Sequence, residues 1–248
     1  SCGCTSSTDA IGYAAAAIRS GDAEVVLTGG ADACVTPGMM YGFSRMRVAS
    51  MAYNETPALA SRPFDRGRDG FVLGEGAAFL VLESEAHARA RGARLYGRAL
   101  GYGLSCDATH LTKPDVDGQS RALRAALRSA GLQPADVGYC NAHGTATRVG
   151  DAVEWEALAR VWGTALPDLR VSSTKALHGH LLGGAGALEA VVTVLALGRQ
   201  QVPPNGPAAP DPACPLALVA ADDTAAPGLA AAVSSSFWSR TFHLVPSS

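Results

Sequence analysis

The sequence predicts an α/β fold with helices layered on a mixed sheet, and three observations lead there. Short apolar runs of strand length alternate with segments of helical period through most of the chain. Apolar residues make up 48% of the 248 residues and charged residues 17%, enough for a sizeable core. No repeat, low-complexity tract or obvious interdomain linker breaks the alternation. This composition excludes disorder, which needs low hydrophobicity and high net charge. Twenty basic against 22 acidic residues leave a formal charge of −2, which is no footprint for nucleic acid. No apolar run is expected to reach the roughly 18–20 residues that cross a bilayer. The opening SCGCTSSTDA lacks the basic start and apolar stretch of a signal peptide. A cytoplasmic, globular protein with neither nucleic-acid nor membrane partner is expected.

The elements follow in order. Thr5, Ser6 and Ser7 offer cap oxygens, and Ile11, Ala14, Ala15 and Ile18 then recur at helical spacing up to Gly21. Glu24–Thr28 reads as a short strand ending at Gly29-Gly30. Residues 31–70 are rich in Pro and Gly, and Arg62, Arg66 and Arg68 alternate with Asp65 and Asp69, so a solvated, salt-bridged loop is expected. Ala77–Leu82 reads as a buried strand, Ser84-Glu85 opens a short helix closed by Gly92, and Leu95–Tyr102 is another strand. Gly118–Ala130 is an amphipathic helix with Leu123, Ala126 and Leu127 inside. Val137–Ala142 and Leu169–Ser172 are strands on either side of a helix over Gly150–Trp162. His180–Leu197 reads as a deeply buried helix, broken by Val202-Pro203-Pro204-Asn205. Leu216–Val219, Ala230–Ser234 and Thr241–Val245 are the last strands.

Three constellations carry chemistry. Cys4 stands just before a helix start, where unpaired N–H groups and the dipole lower a thiol's pKa; the plainer reading is a buried thiol. The stretch Asn141-Ala142-His143-Gly144-Thr145-Ala146-Thr147 puts a histidine on a strand-to-helix loop, suited to a donor in a pocket or to a satisfied turn. In Ser172–Gly183, Lys175 precedes His180 by five residues, and His180 opens the apolar helix, whose dipole keeps the ring neutral. Lys175 is either exposed or a hydrogen-bonded, partly buried lysine. Gly183-Gly184-Ala185-Gly186-Ala187 fits no phosphate loop and reads as close helix packing. Cys2-x-Cys4 has no second pair to complete a zinc site, so no metal is expected. His87 and His110 default to surface or structural roles.

Cys4, NAHGTAT and SSTKALHGHLLGGAGA together resemble the β-ketoacyl-acyl carrier protein synthases of fatty-acid and type II polyketide pathways. The likeness continues through GDAEVVLTGGAD, SRPFDRGRDGFVLGEGAAFLVLE and VPPN. It implies the thiolase fold, layered α/β/α/β/α. Residues 1–83 would be the end of the N-terminal half and 84–248 the C-terminal half, with the rest of the first half in the same chain or a separate polypeptide. The resemblance makes Cys4 the nucleophile, His143 and His180 the catalytic pair and Lys175 the active-site lysine. It makes Thr145 and Thr147 contacts to the phosphopantetheine arm, Glu189 the acidic residue behind the lysine, and Phe237 a gating residue by the oxyanion hole. The family's glycine-rich turn near the C-terminus stands here as Phe237-Trp238-Ser239-Arg240-Thr241-Phe242, whose bulk bears on that oxyanion geometry.

What the resemblance implies is a decarboxylative Claisen condensation. An acyl group loads onto Cys4, malonyl-acyl carrier protein loses carbon dioxide beside the two histidines, and the enolate attacks the acyl-cysteine. No bound cofactor is required, because phosphopantetheine arrives on the acyl carrier protein. A homodimer, or a heterodimer with a ketosynthase-like subunit, is expected. Three rivals remain: a chain-length factor, against which Cys4 counts; a thiolase, which needs a second cysteine where only Cys214 is available; and a degenerate structural subunit of a ketosynthase heterodimer.

Overall fold

The computed structural model describes residues 2–108, 113–206, 209–237 and 240–245. Four layers stack in this chain. A six-stranded mixed sheet lies at its centre, built from β3 (Arg98–Leu104), β4 (Tyr139–Asn141), β5 (Arg170–Ser172), β6 (Ala217–Leu218), β7 (Ala232–Ser236) and β8 (Arg240–Val245) in the order β3-β8-β7-β4-β5-β6. Strands β4, β5, β6 and β7 are parallel, and β8 runs antiparallel to both β7 and β3. Helices α4 (Val116–Ala130) and α5 (Arg148–Trp162) cover one face, burying Leu123, Leu127, Leu158 and Trp162 against Cys140, Val171 and Val233. Helices α1 (Ser6–Ser20) and α7 (Ala185–Arg199) cover the other, where Ile11, Ala187, Ala190 and Leu197 meet Tyr139, Ala232 and Leu244. Beyond them lies an antiparallel pair, β1 (Val25–Asp32) with β2 (Gly76–Glu83).

Local chemistry sets the element ends. Gly21 and Gly131 close α1 and α4 in left-handed conformations that cost glycine nothing. Asp115 and Thr147 cap α4 and α5 by accepting the N–H of Gly118 and Gly150, and Ser84 caps α3 (Glu85–Ala90).

Several expectations need correction. Strand β1 does not stop at Gly29-Gly30 but pairs with β2 as far as Asp32. Gly29 is needed because a Cβ there would lie 2.2 Å from the Ala78 carbonyl oxygen. Strand β2 is buried on one face only: Phe79 and Val81 are 55% and 57% exposed, opposite Gly29 and the exposed Leu27. The 31–70 region holds a helix, α2 (Pro37–Arg45), which Pro37 starts and Thr36 caps. The charged loop is salt-bridged but not solvated, for Asp65 and Arg68 are 0% and 5% exposed. Asp65 accepts from Arg62 and the Gly67 N–H, while Arg68 pairs with Asp211 at 2.6 Å and Asp151 at 3.5 Å.

His180 does not open the apolar helix. It is held extended by a bridge to Leu73: its N–H donates to Val72 O at 2.7 Å, and its carbonyl accepts from the Gly74 N–H at 3.0 Å. A 3₁₀ turn, Leu182–Gly184, then leads into α7 at Ala185. Gly186 nevertheless serves close packing, since a Cβ there would fall 1.9 Å from Thr8 Oγ1. The helical stretch Leu182–Arg199 is 18 residues long and apolar enough to span a membrane by length and composition. It is mostly buried here as the central helix of the stack, correcting the expectation that no such run exists. His110 lies outside the described residues.

Candidate active site

Cys4 sits in a 3₁₀ turn, Gly3–Thr5, that precedes α1 rather than in the helix itself. Gly3 adopts φ +64° to make the turn. Side chains fasten it: Ser6 Oγ donates to Gly3 O at 2.7 Å and accepts from the Cys2 N–H at 2.8 Å, and Thr5 Oγ1 donates to Cys2 O at 3.0 Å. The thiol lies 3.0 Å from His180 Nε2. Burial pushes the Cys4 pKa up to about 11, and the Lys175 charge only partly offsets it. The helix start therefore does not make a standing thiolate. Desolvation wins, and the neutral thiol has a histidine base within reach.

The two histidines arrive from different elements. His143 lies on the loop after β4, and its ring stands 5.4 Å from the His180 ring at 87°. Burial, then the charge of Lys175, holds both rings well below the usual histidine pKa, so both are neutral at pH 7. Neither Nδ1 has a hydrogen-bond partner among the described residues. Phe71 meets the His180 ring edge-on at 5.5 Å, and Phe237 lies 6.0 Å from the His143 ring.

Lys175, at the start of α6 (Lys175–His178), is 1% exposed and donates from Nζ to Glu189 Oε1 on α7. Burial raises Glu189 to about 7 while Lys175 pulls it back down. The hydroxyl of Ser236 donates to Glu189 Oε2 at 3.5 Å and in turn accepts from Thr8 Oγ1 at 2.9 Å. Asn205 ties this segment down, accepting the Ser173 N–H at 2.9 Å and donating to Pro63 O at 2.8 Å.

A cleft of about 610 Å³ opens at this centre. Its lining includes His143, Thr145, Thr147, Phe237, Arg47 and Arg148. The Thr145 and Thr147 hydroxyls stand 3.1 Å apart. Trp238 and Ser239 of the altered turn lie outside the described residues. His87 sits apart from the centre, with Nδ1 2.8 Å from Glu83 Oε2.

One functional side chain escaped the sequence reading. Glu154 on α5 is 1% exposed and accepts the N–H of His143 at 2.8 Å and of Gly144 at 2.7 Å, fixing the loop that carries His143. Ser235 Oγ donates to the same carboxylate at 3.0 Å. A signal existed: Asp151, Glu154 and Leu158 fall at helical spacing on one face, so two carboxylates share an apolar side of the helix.

A half-buried cysteine beside two neutral histidines, in a stack whose helical layer lies between two sheets, places the chain in the thiolase fold class. The comparisons narrow that class. The sequence model of the β-ketoacyl synthase N-terminal domain matches residues 1–88, and that of the C-terminal domain matches residues 96–208. The chain belongs to the β-ketoacyl synthase family. It is 45% identical over 219 residues to a 3-oxoacyl-[acyl-carrier-protein] synthase 2 of Synechocystis, covering 87% of this chain and 52% of that protein. The chain thus spans about half the length of the curated relatives it matches. Among solved structures, the ishigamide ketosynthase/chain length factor matches with a TM-score of 0.91 at 35% identity, over 100% of this chain and 60% of that one. A type II polyketide synthase ketosynthase, in complex with its acyl carrier protein and bound to the hexaketide, matches with a TM-score of 0.93 at 33% identity, over 99% and 62%.

Proposed function

We propose that this chain carries the condensing centre of a β-ketoacyl-acyl carrier protein synthase that performs a decarboxylative Claisen condensation in fatty-acid or polyketide elongation. The observation that carries the reading is the 3.0 Å contact between Cys4 Sγ and His180 Nε2, with His143 beside it. In this reading His180 Nε2 takes the thiol proton as Sγ attacks the acyl thioester. Backbone N–H groups at Cys4 and Phe237 hold the oxyanion, the departing pantetheine thiolate takes a proton from solvent, and His180 keeps the thiol proton on Nε2 while its Nδ1 proton passes to solvent. Malonyl thioester then enters through the cleft along Thr145 and Thr147. Hydrogen bonds from the Nε2–H of His143 and His180 to its carbonyl stabilise the enolate as carbon dioxide leaves. The enolate carbon attacks the acyl carbonyl and Cys4 is released. Each well-aimed donor to such an oxyanion is worth about 3–4 kcal/mol, which favours neutral, fixed rings over mobile charged ones. Lys175 and Glu189 hold the field around the rings, and burial, helped by the Lys175 charge, keeps His143 and His180 unprotonated.

Acyl carrier protein is the partner of this reading, delivering phosphopantetheine to a mouth that bears Arg47, Lys113 and Arg148. A dimer, with a second copy or a ketosynthase-like subunit, and a cytoplasmic setting belong to the same reading, and the match to a ketosynthase/chain length factor supports the pairing with a related subunit. The test is mass spectrometry of the intact enzyme after incubation with acyl-acyl carrier protein, followed by malonyl-acyl carrier protein. An acyl adduct on Cys4 that is consumed with release of carbon dioxide supports the reading, and so does rapid stoichiometric labelling of Cys4 by cerulenin. An enzyme with no adduct and no label would be a structural subunit.

A further inference from the structure

We infer that Tyr102 is a positioning residue for the nucleophile: its hydroxyl and ring hold α1 at Asp9 and Gly12, and α1 begins directly after the turn that carries Cys4. The inference rests on the role proposed for Cys4 above.

Tyr102 projects from β3 onto the first turns of α1. Its ring lies so close to Gly12 that a Cβ there would fall 2.8 Å from three ring atoms. Its hydroxyl donates to Asp9 Oδ1 at 2.6 Å, a short, charge-assisted bond. Asp9 and Gly12 are three residues apart and share one face of the helix, so one side chain grips α1 at two points. The second oxygen, Asp9 Oδ2, lies 3.5 Å from Thr5 Oγ1, and the Thr5 hydroxyl also reaches Cys2 O at 3.0 Å. Thr5 is 1% exposed and Asp9 3%. A carboxylate so buried is tolerated only where donors hold it, which makes the geometry around Asp9 stiff.

The opposite side of α1 is held independently. There the Ala187 N–H of α7 donates to Ser7 Oγ at 2.9 Å, while Thr8 Oγ1, on the Gly12 side of the helix, donates to Ser236 Oγ. With α7 on one side and Tyr102 on the other, rotation of α1 about its own axis is blocked. That rotation is what would swing the Cys4 turn away from His180. Burial raises the Tyr102 pKa, so the phenol stays an O–H donor through the neutral range.

Tyr102→Phe keeps the ring against Gly12 and removes only the hydroxyl. Two readings separate positioning from general damage. One is the rate at which acyl-acyl carrier protein loads Cys4 in the intact enzyme. The other is decarboxylation of malonyl-acyl carrier protein after Cys4 has been carbamidomethylated, a step that uses the histidines but not the thiol. Loading should fall about tenfold in Tyr102→Phe while decarboxylation stays within about twofold, because small misplacements of a reacting atom are costly in rate. Asp9→Ala should lose as much, and Asp9→Asn, whose amide oxygen still accepts, should retain more. The Tyr102→Phe/Asp9→Ala double variant should be no slower than Asp9→Ala alone, since both act through one chain of contacts. Wild-type loading in Tyr102→Phe overturns the inference, and so do equal losses in loading and decarboxylation. Failure of the wild-type enzyme to load Cys4 overturns the proposed function instead.

Discussion

A half-buried thiol at 3.0 Å from a neutral imidazole is a neutral pair rather than a preformed ion. Alkylation of Cys4 by iodoacetamide, which consumes thiolate, should therefore rise about tenfold per pH unit from pH 7 to 9 without a plateau, given a pKa near 11. A plateau below pH 8 would mean that the helix start prevails over desolvation after all. Lys175→Met removes the charge that lowers this pKa, so alkylation at a fixed pH should slow further. Cys4→Ser should abolish the acyl adduct, because serine is too weakly acidic for the same base. Each single change, His143→Ala or His180→Ala, should hit decarboxylation and condensation. His180→Ala alone should also slow loading, since Nε2 of His180, and not of His143, meets the thiol. Loading equally slow in both would disprove that division of roles.

At the scale of elements, the centre is assembled by contacts between segments far apart in the chain. Helix α5 sends Glu154 back to the backbone of His143 and Gly144, so Glu154→Ala strands the buried Gly144 N–H and leaves that of His143 only Ser235 Oγ at 3.2 Å. At about 1–3 kcal/mol for each unsatisfied group, the cost should appear as a clear drop in thermal melting temperature. An unchanged melting temperature would show that water or another acceptor replaces the carboxylate. The crossing of α1 and α7 is equally tight. Gly186→Ala would drive a Cβ to 1.9 Å from Thr8 Oγ1, and overpacking of this kind typically costs about 1–3 kcal/mol. Since Thr8 leads through Ser236 to Glu189, the same variant should also lower activity, which paired melting and turnover measurements would register.

For the whole molecule, the telling feature is the outer face of β1–β2. Val25, Leu27, Phe79 and Val81 stand exposed on it, Leu27 at 70% and directly opposite Val81. Exposed β-branched and aromatic residues on a two-stranded sheet are an aggregation hazard. Residues 1–248 on their own should therefore bind a hydrophobic dye and elute from size-exclusion chromatography as oligomers or aggregates. A monodisperse monomer with a sharp melt would show that the face is tolerated bare. Helix α7, by contrast, needs no further cover, since the sheet, α1 and β2 already bury most of it.

The sequence by itself determined the alternation of elements and the identities at the centre. Cys4, His143, Lys175 and His180 each stand in a local stretch whose pattern of small, hydroxylated and glycine residues marks it out, whereas Glu189 followed only from the resemblance. Two helix ends were legible for the same reason: Gly21 and Ser84 act on backbone groups only a few residues away. What the tertiary structure decided is everything that depends on partners distant in the chain. His180 is held extended by Leu73, more than a hundred residues earlier, so the helix expected there begins only at Ala185. The protonation of Cys4 turned on its burial, a quantity that no local pattern encodes. The reason is physical: propensity and capping act over a few residues, whereas desolvation and register are properties of the packed chain.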